Sequence, residues 1–462
     1  METAPLAVAI PLLGAGGLAA VATRLGRAGA EAVALAAAVA VTALCVALLV
    51  RTGSGLEVYW FGGWEPRAGT AIGVSFAVDA IGAGLATLVS ALMIAALVMM
   101  WRYRETEAPH FQILMLLFLA GMVGFCLSGD LFNLFVFFEL MSVSAFALTG
   151  IDIDEGAALE GSLNFAVTNT IGSFLAVIGI ALVYARTGAL NIAQAGHVLD
   201  NGHVDGLVVV ALAFLACGFL VKAAVVPFHL WLADAYAVAP AAICIVLAGA
   251  MSELGVLGVV RIVFGAFGGP VAEHADAVRT VLVVAGLTTA VLGAVMAYAQ
   301  DHLKRMLAFV TIGHVGLFLA GAGMLSSAGV GAIAVYVVAD GCTKAALFAC
   351  VGIVQRRLGH VSESALRGAG RGLRWTGAAF VIAALVSTGL PLTGPFLGKA
   401  LLDDALVHGV GSWAVAIAIG ATVLTGATLL RAAGCVFAGW GVDESGREPG
   451  YEPIYEPQPT TP

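Results

Sequence analysis

Thirteen apolar runs dominate the chain, at about 5–23, 30–50, 71–100, 110–128, 131–150, 161–185, 206–233, 240–264, 277–299, 306–324, 328–354, 373–402 and 412–440. A helix crosses a bilayer with about 20 apolar residues, so each run is a candidate span. The runs are continuous rather than alternating, which excludes a transmembrane β-barrel. Of the 462 residues, 61% are apolar and only 11% charged, against roughly 45–50% and about 25% in a soluble domain. So few charges cannot cover a water-facing surface, and a soluble globular or disordered chain is excluded. A net charge of −8 leaves no basic face to meet phosphate, so no nucleic-acid partner is expected. The expected fold is an all-α polytopic membrane protein of about 13–14 transmembrane helices, with the lipid bilayer as its solvent.

Lysine and arginine in the loops set the orientation. With the N-terminus outside, the cytoplasmic loops hold Arg24, Arg27, Arg102, Arg104, Lys304, Arg305, Arg356, Arg357, Arg367, Arg371 and Arg374. The opposite loops and their flanks hold Arg51, Arg67, Arg186, Arg261 and Arg279. That bias puts the C-terminus in the cytoplasm. The 441–462 tail, acidic and proline-rich, reads as disordered.

Two runs have the pattern of broken helices. One is VKAAVVPFHLWLADAYAVAP (221–240), with Pro227 inside it; the other is STGLPLTGPFLGKALL (387–402), with Pro391 and Pro395. Proline removes a helix hydrogen bond, so the carbonyls freed there need other partners. Paired broken helices in two halves of a transporter indicate inverted repeats around a path near the midplane. The expected organisation is N-terminal transmembrane helices over 1–109, then two inverted five-helix repeats, at 110–264 and 277–440, and then the tail.

The placement of charge within the spans is the strongest functional signal. The chain has four lysines, Lys222, Lys304, Lys344 and Lys399. None is in a long loop, whereas most of the seventeen arginines lie in loops or near span ends. A charge at the centre of a span costs at least ~2.5–3.5 kcal/mol, so such residues mark ion or proton routes. Desolvation lets a buried lysine exchange a proton near neutral pH, which arginine cannot do. Snorkelling to the interface would account for Lys304, but not for Lys222, Lys344 or Lys399. Carboxylates accompany them: Asp79, Glu139, Glu253 and Asp340 lie in apolar runs, with Asp130 and Asp234 near ends. Asp340 and Lys344 are four apart on one helix face and can pair. His229 and His314 lie in or beside spans and titrate near neutrality. This row reads as a proton or ion path rather than a purely structural polar core. The seven cysteines form no CxxC and read as packing residues. With no GxxxxGK[ST] stretch either, no cofactor, metal or catalytic residue is expected.

The motifs GDLFNLFVFFELMSVSAF, KAAVVPFHLWLADAYAVAP, QDHLKRMLAFVTIGHVG, DGCTKAALF and LPLTGPFLGK, in this order, resemble the antiporter-like subunits of complex I and their relatives. That superfamily includes the large membrane subunits of NADH:quinone oxidoreductase, membrane-bound hydrogenases and Mrp-type sodium/proton antiporters. The stretch DLFNLFVFFE looks most like the D-type membrane protein of the Mrp antiporters. The resemblance implies that Glu139 is the glutamate of the fifth span and Lys222 the lysine of the broken seventh, paired with it. It places Lys344, His314 and Lys399 in the second half, Lys399 on the broken twelfth helix. It also implies a hetero-oligomeric complex with other membrane subunits, in a bacterial or archaeal cell membrane.

One position departs from the superfamily pattern. The eighth span usually reads K-x-G-x-x-G-x-x-R, and here Glu253 stands at the central lysine, followed by Gly255, Gly258 and Arg261. A carboxylate there can be a counter-ion between Lys222 and the second-half lysines, a ligand for a hard cation such as sodium, or a neutral hydrogen-bonded core residue. The glycines suggest room for close helix approach or water. The path expected runs Glu139, Lys222, Glu253, His314, Lys344 with Asp340, then Lys399. It fits a proton-translocating subunit of a multisubunit monovalent cation (sodium)/proton antiporter. The alternative is a proton-pumping subunit of an NADH:quinone oxidoreductase or a membrane-bound hydrogenase.

Overall fold

A computed structural model describes residues 3–67, 70–101 and 108–441, and most of these are helical. Arg102, Arg104 and the tail beyond residue 441 lie outside the described residues. The first two apolar runs form α1 (Thr3–Arg51), a rod bent at Gly26, where φ is +64°. A two-stranded antiparallel hairpin follows: β1 (Glu57–Trp60) pairs with β2 (Ser75–Val78), Glu57 opposite Val78 and Trp60 opposite Ser75. The apolar run at 71–100 is therefore not helical from its start. Asp79 sets the true start of the helix: its Oδ1 accepts the Gly82 N–H at 2.8 Å and caps α2 (Ala80–Met100).

Next come α3 (Ala108–Leu127), α4 (Leu131–Thr149) and α5 (Gly156–Thr187). Asp130 caps α4 by accepting from the Phe132 and Asn133 N–H groups, both at 2.9 Å. A short helix that the apolar pattern does not announce, α6 (Ile192–Asp200), precedes the first broken span, α7 (Gly206–Lys222) and α8 (Leu230–Val238). The next span is α9 (Ala241–Val246) and α10 (Ser252–Arg261), joined by a π-helical turn at Leu247–Met251. After α11 (Gly268–Glu273) come α12 (Ala275–Tyr298), α13 (Leu303–Ala322) and α14 (Ser327–Leu358). The second broken span is α15 (Arg374–Ser387) and α16 (Gly394–Gly409), and α17 (Ser412–Ala433) is last.

Eleven helices among the described residues are long and apolar enough to cross a membrane; the two broken spans bring the number to thirteen. Two runs of five spans share one element order, α3 to α10 and α12 to α17, each with its fourth span broken. Five is odd, so the second run enters the bilayer from the face opposite the first, which makes the two units inverted. The spans Ala241–Ala266 and Leu303–Ala322 are each 94% buried over their apolar stretch. They form the centre of the bundle and are almost entirely screened from lipid.

Each break satisfies its freed backbone in its own way. In the first, the Val221 carbonyl accepts from Trp231 Nε1 at 3.1 Å, and the Val226 N–H donates to Thr289 Oγ1 at 3.1 Å. In the second, the Ser387 carbonyl accepts from Lys399 Nζ at 2.6 Å. Each break also holds one non-glycine residue at positive φ, Ala224 at 56° and Leu392 at 70°, a conformation costing roughly 1–2 kcal/mol in an L-residue. Ala223, Ala224 and Val225 are buried, whereas Leu390, Pro391 and Leu392 are exposed, Leu392 completely.

Candidate functional site

The expected residues fall into two groups. Lys222 ends α7 and is fully buried. Its Nζ donates to Ser142 Oγ of α4 at 2.6 Å and sits 4.9 Å from the centroid of the Phe138 ring. Ser142 Oγ itself donates to the Phe138 carbonyl at 2.7 Å, which leaves its lone pairs to receive the ammonium. Glu139 lies three residues before Ser142 and is half-buried, with Oε1 unpartnered. It makes no ion pair with Lys222; a neutral hydroxyl holds the lysine instead.

The second group is a closed run of charge. Glu253 sits in the first turn of α10, directly after the π turn. That turn closes i→i+5 bonds and so changes which side chain faces inward. Glu253 Oε1 accepts from Lys344 Nζ of α14 at 2.8 Å. Lys344 Nζ is also 2.7 Å from Asp340 Oδ2, one turn back on its own helix. Asp340 Oδ1 lies 2.6 Å from His314 Nδ1 of α13. Both contacts of Asp340 are close but off hydrogen-bond alignment; the one with Lys344 is a charge contact, and the one with His314 becomes one when the imidazole is protonated. None of the four residues is more than 2% exposed. Glu253 Oε2 and His314 Nε2 have no partner.

The order in space is therefore Glu253, Lys344, Asp340, His314, whereas the sequence reading put His314 before Lys344. Glu253 is the counter-ion of Lys344 and makes no ion pair with Lys222. Gly255 serves close approach: a Cβ there would stand 2.5 Å from the Ala223 backbone nitrogen, so α10 lies hard against the end of α7. Lys399, half-buried on α16, holds the Ser387 carbonyl and has its Nζ 5.6 Å from the centroid of the Tyr336 ring.

Lys304 does not snorkel. It is 2% exposed and donates inward to the Ala239 carbonyl at the end of α8, at 3.1 Å, where the helix dipole is negative. His229, in the first break, is buried with Nδ1 unpartnered and makes no ion pair.

The remaining charges near span ends tie elements together. Arg261 holds Asp79 with two bonds of 2.7 Å, and Arg305 holds Asp234 at 2.9 Å. Arg431 grips Glu363 at 3.2 and 3.0 Å and the carbonyls of Tyr298 and Gln300 at 2.6 and 3.2 Å. Burial raises the Glu363 carboxyl above the usual range, and Arg431 opposes that rise. His302 is pushed down to about 3 by burial and by Lys304 and Arg305. It stays neutral, as its acceptance of the Arg305 N–H at 3.3 Å requires.

Residues 128–425 match the family described as NADH:quinone oxidoreductase/Mrp antiporter, TM. The chain is 32% identical over 407 residues to NADH-quinone oxidoreductase subunit N of Desulforudis audaxviator (strain MP104C), covering 86% of this chain and 79% of that protein. It is 29% identical over 394 residues to the D-type membrane protein of the Na(+)/H(+) antiporter of Alkalihalophilus pseudofirmus, covering 84% and 77%. A chain in the solved structure of the Mrp complex from Dietzia sp. DQ12-45-1b superposes with a TM-score of 0.84 at 28% identity, over 95% of this chain and 80% of that one.

Proposed function

The chain belongs to the NADH:quinone oxidoreductase/Mrp antiporter transmembrane family, and on that premise we propose that it is the proton-translocating membrane subunit of a multisubunit monovalent cation (sodium)/proton antiporter. The observation that carries this reading is the buried run Glu253–Lys344–Asp340–His314, in which each neighbour is within 2.8 Å. Buried ionisable groups in a bilayer are expensive and are kept where ions or protons move. The proposed path runs Glu139, Lys222, Glu253, Lys344, Asp340, His314, Lys399. Ser142 suits the Lys222 step because a hydroxyl both donates and accepts, so it stays bonded whether the lysine carries its proton or has given it up. Pro227, Pro391 and Pro395 mark the breaks beside Lys222 and Lys399. The two inverted units are assigned to 110–264 and 277–440.

Partner subunits fit the second break. Irregular backbone at membrane depth is tolerated only where protein or water covers it, and the stretch from Leu390 to Leu392 is exposed. Coupling to a cation gradient also needs those partners. The same module inside a quinone reductase is the second reading, favoured by the 32% identity to a subunit N. Purification of the native complex separates the two: small antiporter subunits support the first reading, and nickel- or flavin-binding subunits support the second. Transport in vesicles from strains carrying Glu139→Ala or Lys222→Ala tests the path, and coupled transport near wild type with either would end it. The N-terminus is assigned to the outside and the C-terminus to the cytoplasm from the loop arginines. Cysteine labelling at positions 26 and 450 from either side tests this, and an externally labelled tail would reverse its placement.

A further inference from the structure

Between the closed cluster and Lys399 there is a gap that no ion pair bridges, and Tyr336 of α14 occupies it. Its ring centroid lies 6.0 Å from that of His314 and 5.6 Å from Lys399 Nζ. The residue is fully buried, and its hydroxyl has no hydrogen-bond partner. His314 Nε2, on the neighbouring ring, is also buried and unpartnered. A buried hydroxyl without a partner loses about 1–3 kcal/mol of solvation, so its presence asks for a reason that packing alone does not supply. A phenylalanine would fill the same space, as Phe318 does, edge-on to Tyr336 at 5.0 Å.

The backbone brings α16, which carries Lys399, hard against α14 at Tyr336. Gly398, beside the lysine, packs against the Tyr336 main chain so closely that a Cβ there would collide with Tyr336 Cα and Cβ. Asp340, one turn beyond Tyr336 on α14, holds His314 on the other side. Tyr336 thus stands on the helix that carries Asp340 and Lys344, and faces the helix that carries Lys399.

We propose that the Tyr336 hydroxyl is the proton relay between His314 and Lys399. The proposal rests on the proton-path reading above. Along the path, or against it in reverse, the Lys399 ammonium and the His314 Nε2 exchange a proton through the hydroxyl: in one direction Lys399 gives a proton to the hydroxyl oxygen as the hydroxyl's own proton passes to His314 Nε2, each transfer bridged by a water. One O–H bond forms and one breaks, the tyrosine ends unchanged, and the histidine gains the charge that the lysine loses. The reverse sequence returns it.

The test uses the assembled complex in sealed vesicles, with cation-driven proton movement as the readout. Removing only the hydroxyl, by Tyr336→Phe, is expected to slow transport about 100-fold or more, the range for loss of one positioned proton-transfer group, with assembly unchanged. Replacement of Tyr336 by fluorotyrosine, which keeps shape and makes the phenol more acidic, is expected to shift the pH profile of transport. A purely structural hydroxyl would leave that profile in place. It also serves as the deciding measurement should Tyr336→Phe fail to assemble. Wild-type rates with Tyr336→Phe, or an unmoved profile with fluorotyrosine, would overturn the relay. Lys222→Ala run alongside separates the failures. If it is silent while Tyr336→Phe is active, only the relay fails; if both are fully active, the proton path itself fails.

Discussion

Lys222 and Lys344 are both buried lysines beside a broken span or its neighbour, yet they are held in opposite ways. Lys222 has one neutral partner, Ser142, at 2.6 Å, and the nearby Glu139 keeps an unpartnered oxygen. Lys344 is gripped by two carboxylates, Glu253 at 2.8 Å and Asp340 at 2.7 Å, the second of which is also held by His314. A single bond from an ammonium to a hydroxyl is worth about 1.5–3 kcal/mol net, and breaking it strands no second charge. Taking one member from a buried ionic group strands the others and costs roughly 3–5 kcal/mol. The first site is therefore the cheaper to rearrange, and the second keeps its side chains in place.

Removing Asp340 should do the most damage, because it leaves both Lys344 and His314 without their shared anion. Asp340→Ala should destabilise the protein by roughly 3–5 kcal/mol, read as lost complex yield and a lower unfolding temperature of what is recovered. Wild-type yield would mean the cluster is not held together as its distances imply. Glu253→Gln comes next. It keeps an oxygen for Lys344 but removes the charge, so a loss of about 1.5–3 kcal/mol is expected for the charged bond, together with blocked transport. Full transport by Glu253→Gln across the neutral and mildly alkaline range would take Glu253 out of the path.

Lys222→Ala should sharpen the contrast rather than repeat it. Transport should fall to background while assembly falls less than in Asp340→Ala, since no ion pair is broken. A loss of complex as deep as that of Asp340→Ala would erase the difference between the sites. Ser142→Ala should affect transport least, slowing it without stopping it, with a loss of about 1.5–3 kcal/mol for the bond to the buried ammonium. A complete block there would promote Ser142 from holder of Lys222 to an obligatory carrier.

Much of this arrangement is legible in the sequence. Charges within apolar runs announce themselves because lipid makes them expensive, so Lys222, Glu253, Asp340 and Lys344 stood out. The Asp340–Lys344 pair follows from helical spacing alone. Pro227 and Pro391 marked both breaks. The partners across helices were not legible. Glu253 and Lys344 are 91 residues apart, and which face Glu253 presents depends on a π turn that no periodicity declares. Ser142 carried no signal, since serine in a span is usually bonded to its own helix, as this one also is. The β2 strand hid within an apolar run that extends into α2. Lys304 looked like an interfacial lysine because its position lies at a span start, but the Ala239 carbonyl is the nearer anchor.

The charge count of the cluster has a consequence of its own. With both carboxylates ionised and the lysine protonated, Glu253, Asp340 and Lys344 sum to −1, and His314 in its neutral form leaves that unchanged. With one proton added to His314, the four side chains sum to zero. The cluster is then like a capacitor whose uncharged state is its loaded one. Charging such an element in a low-dielectric layer is normally penalised, because an isolated ion keeps most of its self-energy there. On the proposed path, a proton reaching His314 removes self-energy instead of adding it, so the cluster would hold it without exposing a net charge to the transmembrane field. In the proposed path, passing the proton on to the next carrier recreates the −1, which readies the cluster to be filled again.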